Sequence, residues 1–63
     1  PTDAEAHIAT ARLLNALDQY DAAAQTFARV ATDDPAFYDA EIGRAEALRL
    51  AGRHDQAIEV LTQ

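Results

Sequence analysis

Apolar residues recur at helical spacing in two stretches of the chain. In each stretch an apolar residue recurs every three positions, which places four side chains on one helix face. The two ridges are Ile8, Ala11, Leu14 and Leu17, and then Ile42, Ala45, Leu48 and Ala51. A second helix is predicted after each ridge, over residues 20–31 and from residue 54 onward. The inner faces of these helices carry Ala23, Phe27 and Val30, and then Ala57, Ile58 and Leu61. The pattern therefore predicts an all-α fold of four helices joined by three short turns.

Start and stop signals flank the predicted helices. Asp34 is expected to cap the third helix and Pro35 to occupy its first position, where the missing N–H of proline has no partner to lose. Thr2 and Glu5 form a capping-box pattern for the first helix. Gly52 is expected to end the third helix, because glycine adopts the left-handed conformation that closes many helices.

The two halves of the chain repeat each other. Laying residues 1–29 over residues 35–63 aligns seven identical pairs. They are Pro1 with Pro35, Ala6 with Ala40, Ile8 with Ile42, Ala11 with Ala45, Leu14 with Leu48, Asp21 with Asp55 and Ala23 with Ala57. Most of these residues are small or apolar, as are the residues that pack helix on helix in repeat proteins. This 34-residue period predicts two units of one helix pair each.

The 34-residue period and the small and apolar residues that recur within it resemble the tetratricopeptide repeat (TPR) family. The helix–turn–helix units of that family stack into a right-handed superhelix. The family positions of the first unit hold Ala11, Leu14, Asp18, Tyr20, Ala23, Phe27 and Pro35. Those of the second unit hold Ala45, Leu48, Gly52, His54, Ala57 and Leu61. The resemblance implies a structural core at these positions and one domain over residues 1–63. Repeat one covers about residues 4–37, and a truncated repeat two covers about residues 38–63.

The chain departs from the family pattern early in each first helix and at residue 30. The family usually carries an aromatic residue and then a leucine where this chain has His7 and Thr10, and later Glu41 and Arg44. Val30 stands where a small alanine is usual. About three repeats are normally needed for stability. We therefore expect either a piece of a longer array or a short protein that self-associates.

Composition and charge narrow the classes of function. Eleven acidic residues against five basic ones give a net charge of −6, which argues against binding nucleic acid. The chain contains no cysteine, so disulfides and cysteine-based zinc sites are excluded. No apolar run approaches the length of a membrane span. We expect no membrane association, and the cytoplasm is the favoured compartment.

Candidate catalytic and metal-binding groups are sparse. His7 and His54 are the only imidazoles, and neither has the convergent partners that a metal site or proton transfer needs. Asp3 lies one turn before His7, an arrangement common on solvated helices. His54 is expected to pack as the counterpart of Tyr20. No glycine-rich phosphate loop or Ser/His/Asp arrangement occurs. We expect no enzymatic activity, no metal and no cofactor.

The resemblance implies a binding surface, because the first helices of TPR units line a concave groove that takes partner proteins. The residues carried over to that groove are Ile8, Arg12 and Asn15, then Ile42, Glu46 and Arg49, with Glu5 and Asp39 at the rim. Their offsets of four and then three keep each trio on one helix face. Arg12 and Arg49 could grip a carboxylate. Alternatively, these charges only solvate the helices, with Arg49 pairing to Glu46.

Two functions therefore stay open for the sequence. The first is a protein–protein interaction scaffold that binds a peptide or helix of a partner in the concave groove. The alternative is a structural self-assembly unit that forms dimers or longer arrays through exposed repeat ends. Phe37 and Tyr38, near the junction of the two units, are either packing residues or an exposed anchor.

Overall fold

Alanine-rich segments with helical periodicity form helices throughout this chain. The computed structural model describes residues 3–62. Within that range the chain forms four α-helices and no strand. They are α1 (Asp3–Ala16), α2 (Tyr20–Phe27), α3 (Phe37–Leu50) and α4 (His54–Thr62). The all-α prediction is confirmed, and one full repeat period separates the start of α1 from that of α3 and the start of α2 from that of α4. The capping box predicted from Thr2 lies outside the described residues.

Each helix packs mainly on its neighbours in the chain. The second helix lies against both α1 and α3, whereas α4 packs against α3 alone among the described helices. The result is a slab of 31 × 28 × 12 Å. We call α1 and α2 the first helix pair, and α3 and α4 the second. Such stacking is typical of repeat proteins, in which each unit contacts only the units beside it.

Small side chains form most of the core. The buried apolar residues are Ala4, Ala11, Ala23, Ala24, Phe27, Val30, Ala40, Ala45, Ala47, Leu48, Ala57 and Val60. Phe27 is the largest of them, and its ring lies against Gly43 of α3. A Cβ atom at Gly43 would come within 2.5 Å of the ring. The absence of a side chain at Gly43 therefore lets α3 approach α2.

The turn that joins the two pairs differs from the prediction. The second helix ends at Phe27 and not at Ala31. Beyond Phe27 the chain forms a turn, in which the Val30 N–H donates a hydrogen bond to the Phe27 carbonyl, three residues earlier, at 3.2 Å. The third helix starts at Phe37, two residues later than predicted. Asp34 does accept a main-chain hydrogen bond, from the Ala36 N–H at 2.8 Å, but this bond shapes the turn that precedes the helix.

The first helices of both pairs end in the same way. Gly52 has a φ of 83° and Asp18 a φ of 60°, so both residues are left-handed. The residue after Asp18 donates its N–H to the Leu14 carbonyl at 2.8 Å, and the residue after Gly52 does so to the Leu48 carbonyl at the same distance. These bonds satisfy carbonyls that would otherwise lack partners at the helix ends. Tyr20 supports the unfavourable conformation at Asp18, because its hydroxyl donates to Asp18 Oδ1 at 2.8 Å.

Several residues placed in the apolar faces by their spacing are exposed in the structure. Leu61, predicted as the core counterpart of Phe27, is 63% exposed whereas Phe27 is 3% exposed. Ile58 and Leu17 are exposed as well. The physical reason is that no described helix packs on the far side of α4 or of α1. His54 is also exposed and does not pack as Tyr20 does, and Pro35 lies exposed in the turn.

Candidate protein-binding groove

Three of the six predicted groove residues line one cavity between the first and third helices. Arg12 and Asn15 of α1 lie across this cavity from Glu46 of α3. Its volume is about 370 Å³. The complete lining is Arg12, Asn15, Phe27, Asp39, Gly43 and Glu46. We call this cavity the α1–α3 groove. The rim residue Asp39 belongs to it, whereas Glu5 does not line it.

Helix geometry explains why these residues meet. Arg12 and Asn15 are three positions apart on α1, and Asp39, Gly43 and Glu46 follow offsets of four and three on α3, so each set shares one helix face. Phe27 of α2 contributes an apolar ring between these two sets. The groove therefore combines an apolar centre with polar sides.

The polar groups of the groove are not used up by contacts within the described chain. Arg12, Asp39 and Glu46 form no ion pair among residues 3–62, where the ion pairs are Arg44 with Glu41 and Arg53 with Asp21. The Oδ1 atom of Asn15 is buried and accepts no hydrogen bond. A buried acceptor without a partner costs about 1–3 kcal/mol. The groove thus carries one positive charge, two negative charges and an unsatisfied amide.

The remaining predicted groove residues lie elsewhere. Ile8 is half-buried and packs against the core. Ile42 borders a cavity of about 430 Å³ whose lining is Thr32, Phe37, Tyr38, Glu41, Ile42, Val60 and Leu61. Arg49 borders a smaller one lined by Ala45, Glu46, Arg49, His54, Ala57, Ile58 and Leu61. Arg12 and Arg49 thus line different cavities, which share Glu46. Arg49 does not form an ion pair with Glu46 within the described residues.

Phe37 and Tyr38, near the junction of the helix pairs, were expected either to pack in the core or to form an exposed anchor, and the structure places them differently. Phe37 is partly buried and packs against the core. Tyr38 is exposed.

A long-range ion pair joins the two helix pairs on another surface. Arg53 Nε donates to Asp21 Oδ1 at 2.8 Å, and its Nη2 donates to Oδ2 at 3.3 Å. The bond from Arg53 holds the pKa of Asp21 below its usual value, and in return Asp21 raises the pKa of Arg53. The sequence analysis missed this pair, because the two residues lie 32 positions apart and no local pattern couples them.

This ion pair borders a second groove, between α2 and α4, with a volume of about 430 Å³. Its lining is Asp21, Ala24, Gln25, Ala28, Arg44, Leu48, Arg53, Gln56, Glu59 and Val60. Asp21 and Arg53 already satisfy each other there. The unsatisfied groups of the α1–α3 groove have no such partner, which makes that groove the stronger candidate for a ligand.

Residues 3–62 contain no group of three or more His, Cys, Asp or Glu side chains placed to hold a metal ion. In the same range, every helix is too short or too polar to cross a bilayer.

The geometry places the chain in a class of proteins, the all-α stacks of helix pairs in which small residues pack helix on helix. Comparison with known proteins then gives the family. The family model described as tetratricopeptide repeat matches residues 14–63, well over half of the chain. The chain therefore belongs to the tetratricopeptide repeat family, whose domains are protein–protein interaction scaffolds and generally non-catalytic. No curated protein and no solved structure gives a significant match.

Proposed function

We propose that the chain binds a segment of a partner protein, either an extended peptide or a helix, in the α1–α3 groove. One observation carries this proposal: Arg12, Asn15, Asp39 and Glu46 gather around one cavity with no ion pair to one another and an unsatisfied amide oxygen. Charges of both signs on opposite walls favour a ligand that is itself polar and asymmetric.

Each wall offers a different kind of contact. The guanidinium of Arg12 suits a carboxylate of the ligand, because its fork of N–H donors matches two oxygens. Asp39 and Glu46 on the opposite wall suit a lysine or arginine. A rotation of the Asn15 amide would present its oxygen to a main-chain N–H of the ligand. The preferred ligand therefore carries an acidic residue near α1 and a basic residue near α3.

The apolar centre of the groove suits one side chain of moderate size. The volume of about 370 Å³ falls at the lower end of the roughly 300–1,000 Å³ typical of ligand sites. The ring of Phe27, which lies against the backbone of Gly43, offers apolar surface there. An aliphatic residue placed between the two charged residues of the ligand would fit this centre.

Reversal of charge at one wall tests the proposal. Peptides would be selected from a random library displayed on phage, and their affinity measured by fluorescence anisotropy. Arg12→Glu should weaken binding at least about tenfold, since an attractive charge contact becomes repulsive. Arg29→Glu is the matched control, because Arg29 is exposed and does not line the groove. Equal affinity of the wild type and the Arg12→Glu variant would reject the groove as the binding site.

A further inference from the structure

The two walls of the α1–α3 groove belong to different helix pairs. Arg12 and Asn15 lie on α1, whereas Asp39 and Glu46 lie on α3. The first and third helices contact each other much less than the second and third helices do. The width of the groove therefore depends on how the second helix pair is oriented against the first.

Packing between α2 and α3 defines that orientation only in part. The ring of Phe27 lies on the backbone of Gly43, and most of the other buried residues of these two helices are alanines. Such short side chains interlock little with a facing helix, so they limit the approach of the helices more than the rocking of one on the other. Within the described helices the backbones of α2 and α4 are not in contact, so no helix packing fixes the orientation on that side.

The ion pair between Asp21 and Arg53 spans the gap between α2 and α4. Its hydrogen bonds, at 2.8 and 3.3 Å, join both carboxylate oxygens to one guanidinium, a geometry that restricts direction as well as distance. Asp21 lies in the first turn of α2. Arg53 is held beside the end of α3, because its main-chain N–H donates to the Leu48 carbonyl at 2.8 Å. The ion pair thus ties one fixed point of the first helix pair to one fixed point of the second.

We infer that Asp21 and Arg53 are positioning residues for the α1–α3 groove, because their ion pair holds the two helix pairs in the orientation in which the groove fits its ligand. Neither residue lines the groove. The inference rests on the function proposed above and adds a contribution from residues outside the binding surface. Without the ion pair the helix pairs sample more orientations, and restricting them on binding costs entropy that the ion pair otherwise saves.

The exposure of the ion pair sets the size of the expected effect. The side chains of Asp21 and Arg53 are 58% and 48% exposed, and exposed ion pairs contribute weakly to stability. Loss of the ion pair should therefore weaken ligand binding about two- to fivefold. Charge reversal at Arg12, which lies in the groove itself, should weaken binding at least about tenfold. This difference in size separates a positioning residue from a residue that contacts the ligand.

Fluorescence anisotropy with a phage-selected peptide that binds the wild type is the first test. Asp21→Asn and Arg53→Gln should each weaken binding about two- to fivefold, and the variant with both changes should bind no more weakly than either. Asp21→Arg combined with Arg53→Asp, which we call the charge-exchanged variant, should recover most of the affinity. Asp55→Asn is the matched control and should bind as the wild type does, because Asp55 also lies in a first helical turn but forms no ion pair within residues 3–62.

A second measurement needs no ligand. The chain contains no cysteine, so nitroxide labels can be attached at Ala9→Cys of α1 and Ile42→Cys of α3, two exposed positions outside the groove. Double electron–electron resonance then gives the distribution of distances between these helices. Asp21→Asn should broaden the distribution, and the charge-exchanged variant should narrow it again. Both measurements are made well below the melting temperature of each variant, so that loss of folding does not contribute.

Three results would overturn the inference. An unchanged distance distribution in Asp21→Asn means that the packing of α2 on α3 alone orients the helix pairs. Broadening without any loss of affinity, or equal losses of affinity in Asp21→Asn and Asp55→Asn, means that ligand binding does not depend on the ion pair. Failure of the proposed function has a different signature, because the wild type and Arg12→Glu then bind equally while Asp21→Asn still broadens the distance distribution.

Discussion

The two helix pairs place related residues in opposite environments. Phe27 of the first pair is 3% exposed and packs on Gly43, whereas its counterpart Leu61 in the second pair is 63% exposed. The helices that carry them begin at equivalent positions of the repeat, Tyr20 and His54. Sequence position within a repeat therefore determines the helix and its direction. The neighbouring helix determines whether a side chain is buried and how much it stabilises the fold.

The largest expected difference between the pairs lies at Phe27 and Leu61. Phe27→Ala should destabilise the chain by about 3–5 kcal/mol, because it removes the largest buried side chain and leaves a cavity. Leu61→Ala should change stability by less than about 0.5 kcal/mol, as expected for an exposed site. Urea unfolding followed by circular dichroism at low concentration measures both. Similar losses for the two variants would mean that Leu61 is buried by contacts that the structure does not show.

A smaller difference is expected at the two helix ends. Gly52→Ala should destabilise the chain by about 1 kcal/mol, because an alanine is strained at a φ of 83°. Asp18→Gly should have the opposite sign, with a gain of up to about 1 kcal/mol, reduced by loss of the hydrogen bond from Tyr20. The same urea experiment compares them. Destabilisation by Asp18→Gly would show that the bond from Tyr20 outweighs the backbone strain.

The smallest difference concerns the paired aspartates of α2 and α4. Asp21 is bound to Arg53, whereas Asp55 forms no ion pair in the described part of the chain. Because the pKa of Asp21 is lowered in the folded state, its contribution is complete above the pKa of an unfolded aspartate. The contribution is lost as the pH falls through the lowered folded pKa.

Melting temperatures across acidic and neutral pH test this expectation. Asp21→Asn should melt below the wild type at neutral pH, and the difference should shrink on acidification. Asp55→Asn is the matched control, because both residues occupy the first turn of their helices and share the favourable interaction with the helix dipole. If Asp55→Asn lowers the melting temperature as much as Asp21→Asn, the ion pair contributes nothing beyond that shared interaction.

The sequence predicted the helices better than their surroundings. Helical spacing and the repeat period located α1 and α3, and Gly52 marked a helix end whose left-handed conformation the structure shows. Local spacing could not reveal that no helix among residues 3–62 covers Leu61, because burial depends on residues distant in the chain. The end of α2 was missed for a related reason. Val30 is apolar and buried, as a helical residue would be, but it lies in a turn.

The lining of the candidate site also depends on contacts between residues that are distant in the chain. Of the predicted stripe on α1, Arg12 and Asn15 line the α1–α3 groove, whereas Ile8 packs against the core. How the stripes of two helices meet depends on packing between them, which the spacing within one helix does not define. Arg49 lies a single turn beyond Glu46, yet it borders a different cavity from Arg12. The unsatisfied oxygen of Asn15 depends on which side chains surround it in the folded chain, and no pattern along one helix encodes that.

The most direct test of binding in the α1–α3 groove is an NMR titration of the isotope-labelled chain with a selected peptide. We predict that the largest chemical-shift changes occur at the side-chain amide of Asn15 and the main-chain amide of Gly43. Both groups line the groove. The side-chain amides of Gln25 and Gln56, which line the groove between α2 and α4, should stay unchanged. Shifts confined to Gln25 and Gln56 would contradict the proposal and move the binding surface to that second groove.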